Sequence, residues 1–202
     1  MKDTSRDIVK ARCDNIGMVM RLLFWICAAL TAVSAGMLVW MITRPAAGFT
    51  LRLLDTGNGL AGFCFYNGGW EIDLPRDMAA QGAVSKPKLV YLLAGLFGLV
   101  RSGFVLAILF QLRGIFRSID LGGTPFLHQN VRAVFGIGCL LIARGCVNGF
   151  LMASTFSFLR LGGGADTASD FWSGLLLGAV VICVSYLFDY GAVLQTQSDE
   201  TL

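Results

Sequence analysis

Apolar positions in this chain are gathered into four runs, Gly17 to Ile42, Leu89 to Leu112, Ala133 to Phe156 and Phe171 to Phe188. A helix rises about 1.5 Å per residue and a bilayer's hydrocarbon core is about 30 Å thick, so each run predicts one transmembrane helix. The polar stretches fall on alternate sides: a lead-in over 1–16, connections over 43–88, 113–132 and 157–170, and a tail over 189–202. The predicted fold is an all-α integral membrane protein, a single membrane domain of four helices bundled together. A small extracytoplasmic segment containing a β-hairpin is expected between the first and second helices.

The first run is distinguished from a cleaved signal peptide by its length. Ser34-Ala35-Gly36 supplies small residues, but Leu38 to Ile42 carries the apolar run well past the roughly 7 to 15 residues of a signal core. An uncleaved anchor is expected. Ahead of it, Met1 to Ile16 mixes Lys2, Arg6, Lys10 and Arg12 with Asp3, Asp7 and Asp14 around Ile8 and Val9, which predicts an amphipathic lead-in at the membrane surface.

In the connection 43–88, Phe63 to Tyr66, Asn67-Gly68-Gly69 and Trp70 to Leu74 read as a hairpin, because Asn-Gly supplies the positive φ angles of a tight turn. Phe49 to Leu54 is available as a third strand. In the next connection, Arg113 and Arg117 fall on one side of a continuing helical pattern and Ile115, Phe116 and Ile119 largely on the other. Gly122-Gly123 interrupts that pattern, and Thr124-Pro125 predicts an N-cap and first-turn proline opening the third helix. Gly162-Gly163-Gly164 lacks the Lys and Ser/Thr that complete a P-loop, so it reads as a flexible connection.

Composition sharpens this picture. Of 202 residues, 55% are hydrophobic and only 14% charged, against about 25% charged in an ordinary soluble domain. The net charge of +3 is spread over loops and the N-terminal segment, which argues against direct nucleic-acid binding. Cys27, Cys139, Cys146 and Cys183 lie inside the runs, Cys13 before them and Cys64 in the long connection; no CxxC pair offers a zinc site, the thiols read as small packing residues, and Cys64 reads as a strand residue rather than an exposed thiol. No cofactor is implied. His128 is the only histidine, so a histidine metal cluster is excluded. Enzymatic chemistry would require His128 and Asp189 to meet in a cavity, and the protein is expected not to be an enzyme.

Lipid tails are as apolar as leucine, so helices in a bilayer associate through close packing of small residues. Ala94, Gly98 and Ser102, Gly145 and Gly149, and Gly174 and Gly178 recur at four-residue steps and predict those seams. The sharpest candidates for function are Arg101 and Arg144, each about a dozen residues into its run. An arginine at mid-membrane costs about 2.5 to 3.5 kcal/mol even on the permissive translocon scale. No carboxylate is expected at matching depth; Ser102, Asn148, backbone carbonyls, water or a bound anion are the candidate partners. Two readings stand: arginines that snorkel or bond carbonyls, and an intramembrane anion site formed by Arg101, Arg144, Asn148 and Ser102.

Lysine and arginine placement favours an N-terminus inside: Lys2, Arg6, Lys10, Arg12, Arg113, Arg117 and Arg132 then face the cytoplasm. Four spans return the C-terminus to the same side. Tyr91, Trp40 and Trp172 are expected near one interface and Trp25 and Tyr190 near the other, as an aromatic belt.

Two stretches resemble a bacterial membrane family catalogued as the domain of unknown function numbered 2975. One is Arg113-Gly114-Ile115-Phe116-Arg117 through Gly123-Thr124-Pro125-Phe126, then Asn130-Val131-Arg132 and Gly136-Ile137-Gly138. The other is Phe188-Asp189-Tyr190-Gly191-Ala192-Val193-Leu194-Gln195 with Ser198-Asp199-Glu200-Thr201-Leu202. Val134 and Phe135 depart from the basic residues expected of that family. The resemblance implies a small multi-pass protein of the bacterial inner membrane, often encoded beside a short helix-turn-helix regulator, with Gly123, Pro125, Phe126, Asn130, Arg132, Gly138, Gly191, Leu194 and Asp199 as its motif residues. The expected role is regulation or sensing through protein contacts, with the lipid bilayer, such a regulator or another copy of the chain as partners. The alternative is a small transporter or channel subunit using Arg101 and Arg144.

Overall fold

The computed structural model describes residues 2–55, 60–66, 72–74, 86–120, 127–159 and 167–200. Helix α1 runs over Lys2–Ile42, strands β1, β2 and β3 over Phe49–Asp55, Leu60–Tyr66 and Ile72–Leu74, and helix α2 over Pro87–Asp120. Helix α3 (His128–Cys146) passes through a π-helical turn at Val147–Leu151 into α4 (Met152–Phe158), and α5 covers Thr167–Glu200. Among the described residues four helices are long and apolar enough to cross a membrane: Asn15–Ile42, Pro87–Ile119, His128–Thr155 and Ser169–Leu194.

The surface carries the same message. Along the helices the large apolar side chains point outward, with Met18, Leu22, Trp25 and Leu187 all more than 60% exposed. The polar residues Asn130, Asn148 and Ser185 are buried. In water this inversion would be an aggregation hazard; in lipid it is the stable arrangement.

The helices outrun the apolar runs that predict them. The lead-in and the first span are one helix, with no break near Asn15–Gly17 where a segment lying along the surface would have to turn. Likewise α2 continues to Asp120 and α5 to Glu200, because a helix once nucleated propagates readily through adjoining polar residues. The Gly122-Gly123 interruption, the Thr124-Pro125 start, the Asn67-Gly68-Gly69 turn and the Gly162-Gly163-Gly164 connection lie outside the described residues.

Two compact units divide the chain, one comprising Met1–Ala29, Phe104–Ala143 and Gly174–Leu202, the other Leu30–Gly103 and Arg144–Ser173. In the second unit the three strands form an antiparallel sheet in the order β1-β2-β3, with Phe49 opposite Tyr66 and Gly62 opposite Leu74. Its foundation is a small buried cluster of Met41 from α1, Phe49 from β1, and Val90 and Tyr91 from α2. Tyr91, expected in an interfacial belt, is instead only 5% exposed and packs edge-on against Phe49, their ring centroids 5.4 Å apart. Depth alone predicts the belt position, whereas the strand that folds over Tyr91 decides its burial. Trp40, Trp172, Trp25 and Tyr190 do face outward. The end of α1 is closed by Lys88, whose ammonium donates to the carbonyls of Ile42 (3.0 Å) and Arg44 (2.6 Å), satisfying acceptors that the helix leaves open.

In the first unit α3 and α5 run antiparallel in backbone contact. A β-carbon on Gly138 would stand 2.9 Å from the Gly178 carbonyl oxygen and 2.6 Å from Ile182 Cγ1; one on Gly178 would stand 2.7 Å from the Gly138 oxygen. Ser185, one turn beyond Ile182 and almost wholly buried, donates its hydroxyl to the Ile182 carbonyl at 2.7 Å. Helices α1 and α2 also run antiparallel here, with Gly17 against Phe116 and Phe24 against Phe110.

The contact between Gly138 and Gly178 should dominate the α3–α5 seam. Gly138→Val is expected to destabilise the protein by about 1 to 3 kcal/mol or more, because a rigid backbone faces the new side chain. Gly103→Ala, where a β-carbon meets nothing within 4 Å, is expected to be neutral or slightly stabilising. Chemical unfolding in mixed micelles checks the pair.

Candidate functional site

Arg101 lies roughly 21 Å of helix rise from Pro87 at the start of α2, and Arg144 roughly 24 Å from His128 at the start of α3, so both stand deep in their spans. Their surroundings differ. Arg101 is exposed, although its neighbours Gly98 and Ser102 line a groove of about 340 Å³ between α1 and α2 that Arg101 itself does not reach. Arg144 is half-buried, and its Nε is wholly buried without a hydrogen-bond acceptor. Arg44 has the same orphaned Nε, but its guanidinium rests 4.2 Å from the centroid of the Trp40 ring, a recognised resting place for a cation.

Ser102 turns its hydroxyl to its own helix, donating to the Gly98 carbonyl at 3.0 Å. Asn148 is buried in the π-helical turn that follows Arg144, flanked by the buried Gly145 and Gly149. A π turn widens the helix by one residue and frees backbone groups, and such turns recur at functional positions. Nothing in the spacing of apolar residues signals it. Ala94, Gly95 and Gly98 line the α1–α2 groove with Ser34, Met37 and Leu38, an open seam where α3 and α5 make a closed one.

His128 and Asp189 do meet, with Nδ1 and Oδ1 3.5 Å apart, but their side chains are 80% and 47% exposed. At that separation the contact is an ion pair when the imidazole is protonated rather than a good hydrogen bond. Neither residue lines the two cavities described here. The pair closes the end of the α3–α5 seam at the surface.

The second cavity, of about 390 Å³, lies between the end of α2 and the start of α3. Arg113 and Arg117 from α2 line it, with Gln111, Gln129 and Asn130. Arg113 also stands 5.8 Å from the Phe24 ring centroid. The helical phase of the two arginines was legible in the sequence; their convergence with amides of another helix was not, because it depends on the α2–α3 register.

Of the motif residues, Asn130 is buried in this cavity wall and Arg132 is exposed on α3. Gly138 forms the contact with Gly178, Gly191 is half-buried, Leu194 is exposed, and Asp199 lies in the last turn of α5. Gly123, Pro125 and Phe126 lie outside the described residues. Among the described residues no group of three or more histidine, cysteine or acidic side chains is placed to hold a metal ion. No protein-family model, curated protein or solved structure matches this chain.

Arg144→Leu removes a buried donor that lacks an acceptor, and Arg101→Leu removes a cation from an outward-facing mid-span position. Each should ease membrane insertion by about 2.5 to 3.5 kcal/mol, with thermal unfolding in nanodiscs unchanged or raised. A fall in insertion or stability would instead show that the guanidinium holds the spans together.

Proposed function

We propose that this is a non-enzymatic multi-pass protein of a bacterial inner membrane that works in regulation or sensing through protein contacts. Both termini face the cytoplasm and the sheet-bearing connection 43–88 lies outside. The observation that carries this reading is the continuity of the outer helices: α1 begins at Lys2, well before its span opens at Asn15, and α5 continues to Glu200, past its span's end at Leu194. A helix unbroken from lipid into water transmits a tilt or shift of its span to whatever binds its polar end. The partner expected from the resemblance is a small helix-turn-helix regulator or a second copy of the chain.

A second reading has one observation in its favour. Arg144 is a half-buried cation deep in a span whose Nε has no acceptor in the protein, and the accessible part of its guanidinium can pair with an anion. Under that reading the chain is a transporter or channel subunit, and chloride flux into liposomes would be lost in Arg144→Leu.

Deleting 195–202 tests the regulatory reading. A helix-turn-helix regulator should co-purify with the intact chain and be lost from the truncated one, while both chains insert equally. Persistence of the association, or its absence from both, contradicts the proposal. Alkaline phosphatase fused after Leu202 should be inactive and fused after Lys88 active; the reverse pattern would invert the assigned orientation.

A further inference from the structure

We infer that the cavity between the end of α2 and the start of α3 binds the phosphate of an anionic phospholipid headgroup. Two basic residues, Arg113 and Arg117, line it together with Gln111, Gln129 and Asn130, and no acidic residue is among the lining residues. Arginines one helical turn apart repel each other. Among the described side chains no carboxylate pairs with Arg113 or Arg117. Guanidinium groups without a carboxylate partner are a receptor for an oxyanion, and they suit phosphate oxygens because they present paired N–H donors.

Depth decides which anion. The α2 span covers Pro87–Ile119, 33 residues, or about 50 Å of helix, well beyond a hydrocarbon core of about 30 Å. The lining residues lie in the last third of that span and the first turns of α3, which places them in the headgroup layer. Phe110, 64% exposed at the cavity edge, faces the acyl region, while Arg117, in the last turn of α2, faces the water side. Apolar below and cationic above is the polarity of a phospholipid. Arg21, exposed on α1 between the residues that contact Phe116 and Phe110, adds a cation at similar depth. A volume of about 390 Å³ falls within the range of small-ligand sites, about 300 to 1,000 Å³. The inference needs only the spans and stands apart from the regulatory reading.

The test uses the full chain in micelles, with lipid retention read by native mass spectrometry as phosphatidylglycerol is titrated against phosphatidylcholine. The wild-type chain should retain phosphatidylglycerol preferentially. Arg113→Gln with Arg117→Gln should reduce that preference about thirtyfold, taking each arginine at the strength of a surface cation toward an anionic leaflet. Arg132→Gln, exposed on α3 and outside the cavity lining, removes no headgroup contact and should leave that preference unchanged. Equal preference in the double variant, or an equal loss in Arg132→Gln, would overturn the site in favour of a diffuse basic surface. Should the double variant fail to fold by circular dichroism, the exposed Arg117→Gln alone should still cost about fivefold, and no loss there overturns the proposal. Inorganic phosphate and glycerol phosphate at millimolar concentration should not displace the lipid; full displacement would reassign the site to a soluble anion and overturn the lipid assignment.

Discussion

Lipid supplies no hydrophobic drive between helices, and that constraint governs the rest of this structure. Each span satisfies its own backbone hydrogen bonds, and neighbours then hold together only where side chains are small enough to let surfaces meet. The contact of Gly138 with Gly178 is the clearest case: two helices touch through their backbones, and a single added methyl on either has nowhere to go. The α1–α2 pair reaches the opposite result from similar composition. Gly98 and Ser102 there face an open groove, with the hydroxyl of Ser102 returned to its own helix.

Polar groups follow the same logic. Ser185 is buried because the Ile182 carbonyl accepts its proton, and Lys88 is placed at the end of α1 because the Ile42 and Arg44 carbonyls need a donor. Arg144 breaks the pattern with a buried Nε that reaches no acceptor. Burial of an unsatisfied donor is costly, which makes this side chain the most informative position inside the spans. The cations near the membrane boundary are handled differently. Arg44 stacks on Trp40 and Arg113 lies over Phe24, so aromatic faces substitute for counter-ions that the described residues do not provide.

The four spans were legible in the sequence because length and hydropathy are one-dimensional properties. Helix ends were less so: the lead-in predicted to lie on the surface over 1–16 is continuous with the first span in α1, and α5 runs on through the polar tail to Glu200. The small-residue steps pointed to Gly178 but not to Gly138 as its partner, which depends on the antiparallel register of α3 and α5. Tyr91 shows the limit of depth arguments: its level in the span was readable, its cover by Phe49 was not. The π turn at Val147–Leu151 has no counterpart in apolar spacing, and the basic cavity exists only after two helices are aligned.

The account rests on outward-facing apolar side chains being solvated by acyl chains. Nitroxide labels at Leu30, Phe110 and Val180, in a chain freed of its cysteines and reconstituted in bilayers, measure this through collision with oxygen and with an aqueous nickel chelate. Relaxation dominated by oxygen, with little effect of nickel, is the predicted result at all three positions. Relaxation dominated by nickel at any of them would contradict lipid contact there and, at all three, the membrane fold itself.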